Sequence, residues 1–249
     1  MIWFAKKPDK YPLQKRYDIA RKEIRAVLKR FHIDYQIEGL EKFTNNNEKA
    51  LLISNHLSFF DPLIIIANSE KPVTFVAKKE TFKFPFVGKV AKALEVFPLD
   101  REHLLAQFSE IKKIVTYLKD PSKPSVIIYI EGTRNRHPEN GCLPFHAGTL
   151  KIAQMADSNL MIAATYGGFR PLSMNSYLRK YPCYLNVFEE LNKNDVKTAN
   201  TSELALFLQS KVDEQIDKLR YFDKNYINNL KIKDKIKELE TKVDIRAKA

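Results

Sequence analysis

Long apolar runs are missing from this 249-residue chain, in which no window of about 18 uninterrupted apolar residues occurs. The opening stretch, MIWFAKKPDKYP, also lacks the apolar segment of a secretory signal. The expectation is a chain that neither spans a membrane nor is exported. Cysteine is scarce: Cys142 and Cys183 are the only two, with no C-x-x-C spacing. A disulfide framework or a zinc site is therefore not expected, and a reducing compartment is. Glycine is scarce as well, at seven residues, and the sequence shows no internal repeat, no low-complexity linker and no G-x-S-x-G nucleophile elbow.

The chain does carry 44% hydrophobic and 29% charged residues, ordinary values for a packed domain that exclude disorder, collagen and a coiled-coil rod. Its length suits one large α/β domain or a domain with helical extensions. The net charge of +12 and a pI near 9.5 suit an anionic partner: nucleic acid, a lipid surface or a phosphorylated substrate. Residues 1–30 hold ten Lys or Arg against three acids, whereas residues 31–200 hold 21 against 18. A nucleic-acid binder spreads its charge over a face or groove, so the nearly balanced middle argues against a nucleic-acid partner.

From Pro12 onward Leu13, Tyr17, Ala20, Ile24, Val27, Leu28 and Phe31 recur at helical spacing, with the basic residues mostly elsewhere on the wheel. This predicts a basic amphipathic helix, preceded by the apolar cluster Ile2, Trp3 and Phe4. Two uses of the stripe are open: packing on the domain, or lying in an anionic membrane interface.

Short apolar runs at Ala50–Ile53, Val73–Ala77, Leu94–Phe97, Val126–Ile130, Leu160–Ala164 and Tyr184–Phe188 read as strands. Helical stretches at Pro62–Asn68, Pro85–Ala93, Glu102–Lys119 and Thr149–Ala156 alternate with them. Beyond Ser202 two helices are expected, the first with Leu204, Phe207, Leu208, Val212, Ile216 and Leu219 on one side, the second highly charged over Tyr226–Val243.

The polar residues of interest cluster at strand ends, where α/β folds place their sites. After the first of these strands comes Ser54-Asn55-His56-Leu57-Ser58-Phe59-Phe60-Asp61-Pro62. A step of five residues is about 500° on a helix, so His56 and Asp61 do not share a helical face and must meet across a turn. Asp61 before Pro62 also fits a helix N-cap; that role is compatible with holding the His56 ring in one tautomer. A second strand ends in Glu131-Gly132-Thr133-Arg134. Gly132 permits a tight turn, Thr133 supplies a hydroxyl, and Arg134 offers a planar fork for a phosphate. A third ends in Asp100-Arg101-Glu102, where Arg101 either joins Arg134 around a dianion or pairs with its acidic neighbours. The set suits proton transfer on a phosphate-bearing molecule.

In this order Asn55-His56-x4-Asp61, Phe97-Pro98-Leu99-Asp100-Arg101 and Glu131-Gly132-Thr133-Arg134 resemble the N-H-x4-D, second and E-G-T-R blocks of the glycerolipid acyltransferase family, which includes 1-acyl-glycerol-3-phosphate acyltransferases. Pro144-Phe145-His146-Ala147-Gly148-Thr149 is similar to the segment that follows. The resemblance covers residues 35 to 190 or so. It departs at His146, where the family carries Lys or Arg, and at Ile162-Ala163-Ala164-Thr165, where the family carries a proline-bearing strand.

The resemblance implies an α/β fold with a single mixed sheet flanked by helices. The expected division is an N-terminal basic amphipathic segment over 1–34, an acyltransferase domain over 35–200 and a helical extension over 201–249. It implies transfer of a fatty acyl group from a thioester, acyl-coenzyme A or acyl carrier protein, to the free hydroxyl of lysophosphatidate, with no acyl-enzyme and no metal or redox cofactor. Its implied catalytic pair is His56 as general base with Asp61 holding the ring. Arg101 and Arg134 then bind the acceptor phosphate, Gly132 and Thr133 shape the anion pocket, and Glu131 orients it. A peripheral position on the cytoplasmic face of an anionic membrane follows for a lipid acceptor. Glycerol 3-phosphate or another lysophospholipid as acceptor, and an inactive lipid-binding scaffold, are the competing readings.

Overall fold

The computed structural model describes residues 10–45, 48–85, 87–100, 103–173 and 178–247. The basic periodic segment forms helix α1 (Leu13–Arg30), and its apolar stripe is spent inside the protein: Tyr17, Ala20, Ile24 and Leu28 are buried in the main core cluster. Arg21 and Arg25 donate to the carbonyls of Ser69 and Ala67, at the C-terminal end of helix α3 (Phe60–Asn68). This helix end presents free carbonyls and the negative pole of the dipole, a natural seat for guanidinium groups. The stripe is therefore not a membrane-facing surface; Ile2, Trp3 and Phe4 lie outside the described residues.

Seven strands form one mixed sheet: β1 (Ile33–Glu38), β2 (Ala50–Ser54), β3 (Val73–Lys78), β4 (Phe97–Leu99), β5 (Ser125–Tyr129), β6 (Asn159–Tyr166) and β7 (Tyr181–Leu191), in the order β1-β7-β6-β2-β5-β3-β4. All neighbours are parallel except β6 and β7. The central strands β2 and β6 are buried at every position, as continuous apolar runs with helices on both faces require. One face is covered by α1, α3 and α4 (Val87–Ala93); the other by α5 (Leu104–Lys119), α6 (Ala147–Ala156) and the first half of a long C-terminal helix. Short helices α2 (Leu40–Thr44) and α7 (Lys193–Thr198) complete the connections.

Three expectations change. The strand expected at Leu94–Phe97 begins at Phe97, because the α4 C-terminus takes up the preceding residues: Glu95 adopts φ 57° and Val96 N donates back to Ala91 O. A strand that the apolar runs did not announce, β1, pairs with β7 at the sheet edge. The two C-terminal helices are one continuous helix, α8 (Thr201–Ala247), which buries Leu208, Val212, Ile216 and Leu219 and leaves Phe207 half exposed.

Candidate active site

Strand β2 delivers its chain to the C-terminal edge of the sheet at Ser54. The next residue, Asn55, is fully buried and clamps the edge: its amide donates to Thr165 O at 3.0 Å, and its carbonyl oxygen accepts from Thr165 N at 2.8 Å. Asn55 thus pairs with β6 as a backbone would, and the chain can leave the sheet directly after it. The Asn was visible in the sequence; its buried bidentate partner was not.

His56 follows, facing Asp61 across the turn with Nδ1 2.8 Å from Oδ2. The same Oδ2 accepts the amides of Leu57 and Ser58, each at 2.8 Å. An oxygen receiving three donors fixes Nδ1 as the protonated nitrogen and leaves Nε2 with its lone pair free. Asp61 does this from within α3 rather than as its N-cap. The helix starts at Phe60, whose amide donates to Ser58 Oγ, so Asp61 sits in the first turn and Pro62 where no intrahelical N–H partner is needed. The other carboxylate oxygen, Oδ1, is buried with no donor among the described residues.

The second face of the imidazole lies on Tyr129, the last residue of β5, with ring centroids 4.1 Å apart and planes at 17°. The Tyr129 hydroxyl is buried without a hydrogen-bond partner among the described residues. In the sequence Tyr129 reads only as one more apolar strand residue.

Beyond Tyr129 the chain turns sharply, with Gly132 at φ 70°. The turn is tied to the histidine loop twice: Asn135 N donates to His56 O at 2.7 Å, and His56 N to Glu131 Oε1 at 3.4 Å. Glu131 is buried beneath the turn, and desolvation pushes its carboxyl up to about 8 against the pull of the His56 and Leu143 amides. It does not line the pocket; it holds the main chain of His56. From the far side α8 braces the same region, with Gln209 Oε1 accepting from Phe145 N and Asp213 Oδ1 from Cys142 N at 2.7 Å.

His56, Gly132, Thr133, Arg134 and Arg136 open on one cavity of about 540 Å³. Its mouth holds the two guanidinium groups and Lys78; its interior, between α3, β3 and α4, is lined by Leu63, Ile66, Phe75, Val90, Ala91 and Leu94. Neither Arg134 nor Arg136 is paired with a carboxylate among the described residues, and both are exposed. Arg136 joins the site by its two-residue spacing from Arg134. Arg101 lies outside the described residues. Asp100, next to it, accepts from Lys79 Nζ at 2.7 Å. His146 does not line this cavity; it is the N-cap residue of α6.

A family profile described as Acyltransferase matches residues 34–166. The chain is 31% identical over 117 residues to the chloroplastic 1-acyl-sn-glycerol-3-phosphate acyltransferase LPAT1 of Arabidopsis thaliana, covering 47% of this chain and 32% of that one. It is 29% identical to the 1-acyl-sn-glycerol-3-phosphate acyltransferase of Bacillus subtilis (strain 168), over 59% of this chain and 68% of that one. Against two chloroplast relatives the matched stretch spans only about a third of their length. The fold is that of the crystal structure of the 1-acyl-sn-glycerophosphate (LPA) acyltransferase PlsC from Thermotoga maritima, with a TM-score of 0.65 over 82% of this chain and 79% of that one at 18% identity. No helix among the described residues is long and apolar enough to cross a membrane.

Proposed function

The chain belongs to the acyltransferase family, and from that premise we propose that it moves a fatty acyl group from a thioester to the free hydroxyl of 1-acyl-glycerol 3-phosphate. One observation carries this reading: an imidazole whose Nε2 has no partner among the described residues, and two guanidinium groups with no carboxylate partner among them, open on the same cavity, whose interior is hydrocarbon. The acyl chain in transit lies along the apolar wall, and the acceptor's phosphate sits at the mouth on Arg134 and Arg136, bound through charge-assisted hydrogen bonds. That anchoring sets the acceptor hydroxyl beside His56, a proximity effect worth several kcal/mol of the barrier.

His56 Nε2 takes the hydroxyl proton as the oxygen attacks the thioester carbonyl carbon. The tetrahedral intermediate collapses with cleavage of the C–S bond. The departing sulfur takes the proton back from the imidazolium, giving an ester, a free thiol and the starting enzyme. Asp61 keeps the ring in the reactive tautomer and stabilises its positive charge in between. No residue becomes acylated. The acceptor lives in a bilayer, and the exposed apolar side chains at the cavity mouth, Phe84 and Leu172, with Lys78 and the arginines, form the face that meets an anionic leaflet.

The test is release of free thiol from acyl-coenzyme A and acyl carrier protein with lysophosphatidate, glycerol 3-phosphate or another lysophospholipid present, each compared with no acceptor. Lysophosphatidate-dependent release that falls by about 10²-fold or more in His56→Ala is expected. Near-normal turnover in that variant would reject the general base. Preference for another acceptor would move the substrate assignment.

A further inference from the structure

A second cavity, of about 380 Å³, lies on the opposite face of the sheet, between α5 and α6. Side chains alternate across a strand, so Val76 and Ile128 line this cavity while their neighbours Phe75 and Tyr129 line the first. The two cavities meet at the sheet edge, where Tyr129 and Gly132 border both. A ligand in the second therefore reaches the reacting centre by passing over the Gly132 turn.

We propose that this cavity holds the phosphopantetheine arm common to coenzyme A and carrier-protein thioesters, so that a donor lies across the edge of the sheet with its acyl chain in the first cavity and its arm in the second. The inference rests on the thioester donor proposed above. The lining matches such an arm, which alternates amides with methylene and methyl groups. Ile111 and Ile152 supply an aliphatic floor, and the side chains of Gln107 and Thr149 with the amides of Ala147 and Gly148 supply hydrogen bonds at the rim. Thr149 N already donates to His146 O, whereas the amides of Ala147 and Gly148, ahead of the first bonds of the helix, are open to a ligand carbonyl. A second hydrocarbon chain has no use for these groups. The mouth is open, since a Cβ on Gly148 would meet nothing within 4 Å. The volume is in the range of small-molecule sites, about 300–1,000 Å³. Because the arm is the same in both carriers, the site is blind to what lies beyond it.

Two variants fill the space: Ile152→Trp from the floor, and Gly148→Leu from the open rim, where the added Cβ meets nothing within 4 Å. Each is assayed with one acyl group on three carriers: coenzyme A, acyl carrier protein and N-acetylcysteamine, which lacks most of the arm. The expected result is a fall of about tenfold in kcat/KM for both full-arm donors, through KM, with the truncated donor changed by less than about twofold and the acceptor KM unmoved. An equal loss for all three donors, no loss for any, or a loss confined to coenzyme A would overturn the arm site. Absence of transfer by the unmodified enzyme to any acceptor would instead remove the proposed activity itself.

Discussion

Gly168 stands against the carboxylate of Asp61: a Cβ at this glycine would lie 2.8 Å from Asp61 Oδ1 and 3.0 Å from Ser58 Cβ. The contact comes from the loop after β6, so a backbone segment with no reactive group of its own walls in the residue that holds His56. Gly168→Ala is expected to push the carboxylate off Nδ1 and lower kcat by about tenfold or more, with a stability loss of about 1–3 kcal/mol from overpacking. Steady-state turnover beside thermal unfolding checks this; unchanged turnover would show that Asp61 tolerates displacement.

The stack of Tyr129 on His56 separates packing from hydrogen bonding. Because the hydroxyl has no partner among the described residues, Tyr129→Phe should keep near-normal turnover and fold at least as stably. Tyr129→Leu removes the flat surface against the ring and should lower kcat by about tenfold with little change in either KM. A loss equal in the two variants would assign the hydroxyl a role that this geometry does not give it.

Arg134 and Arg136 are expected to be read by the acceptor alone. Replacing either with Ala should raise the lysophosphatidate KM by about 10- to 100-fold, the size of a lost hydrogen bond to a charged group, and leave the donor KM in place. Lys at either position should recover only part of the loss, since an ammonium cannot make the two parallel bonds. Kinetics with each substrate varied in turn decide the matter.

Glu131 gives a pH signature. Its folded-state value of about 8 stands above its ordinary value of 4.5, so the stability it contributes is fully present below about pH 4.5 and is lost as the pH rises through 8. Unfolding of the wild type followed from pH 5 to 9 should show this decline, and Glu131→Gln, which is neutral throughout and keeps an oxygen for the His56 amide, should flatten it. Identical profiles for the two proteins would place the titration elsewhere.

Phe84 and Leu172, 62% and 59% exposed at the cavity mouth, are expected to enter a lipid surface. The pair Phe84→Ser and Leu172→Ser should weaken sedimentation with vesicles of mixed neutral and anionic lipid by about tenfold or more, as the loss of two buried apolar side chains requires. Sedimentation unchanged in the double variant would move the membrane face to another part of the molecule.

Much of this site was legible before the fold. His56, Asp61 and the Glu131–Arg134 turn stand out because polar residues cluster where apolar runs stop, and the structure brings them to one edge. What escaped depends on partners remote in sequence. Asn55 is a clamp only because Thr165 is beside it, 110 residues on. Tyr129 is a ring support only because β5 and β2 are neighbours. The stripe on α1 carried two meanings that periodicity alone does not separate, since burial against a protein and against a bilayer ask for the same residues. Strand β1 was missed because its pattern, Ile33, Tyr35 and Ile37 alternating with polar residues, is that of an edge rather than of a buried run.

The brace that Gln209 and Asp213 give to the Cys142–Phe145 segment has a consequence for biogenesis. Synthesis runs from the N-terminus, so the nascent polypeptide exposes the histidine loop and the arginine turn to the cellular milieu well before the residues that secure them have left the ribosome. Competence then waits for Gln209 and Asp213 to emerge, and a premature stop ahead of Gln209 yields a product with every reactive group present and the scaffold beneath them unfinished.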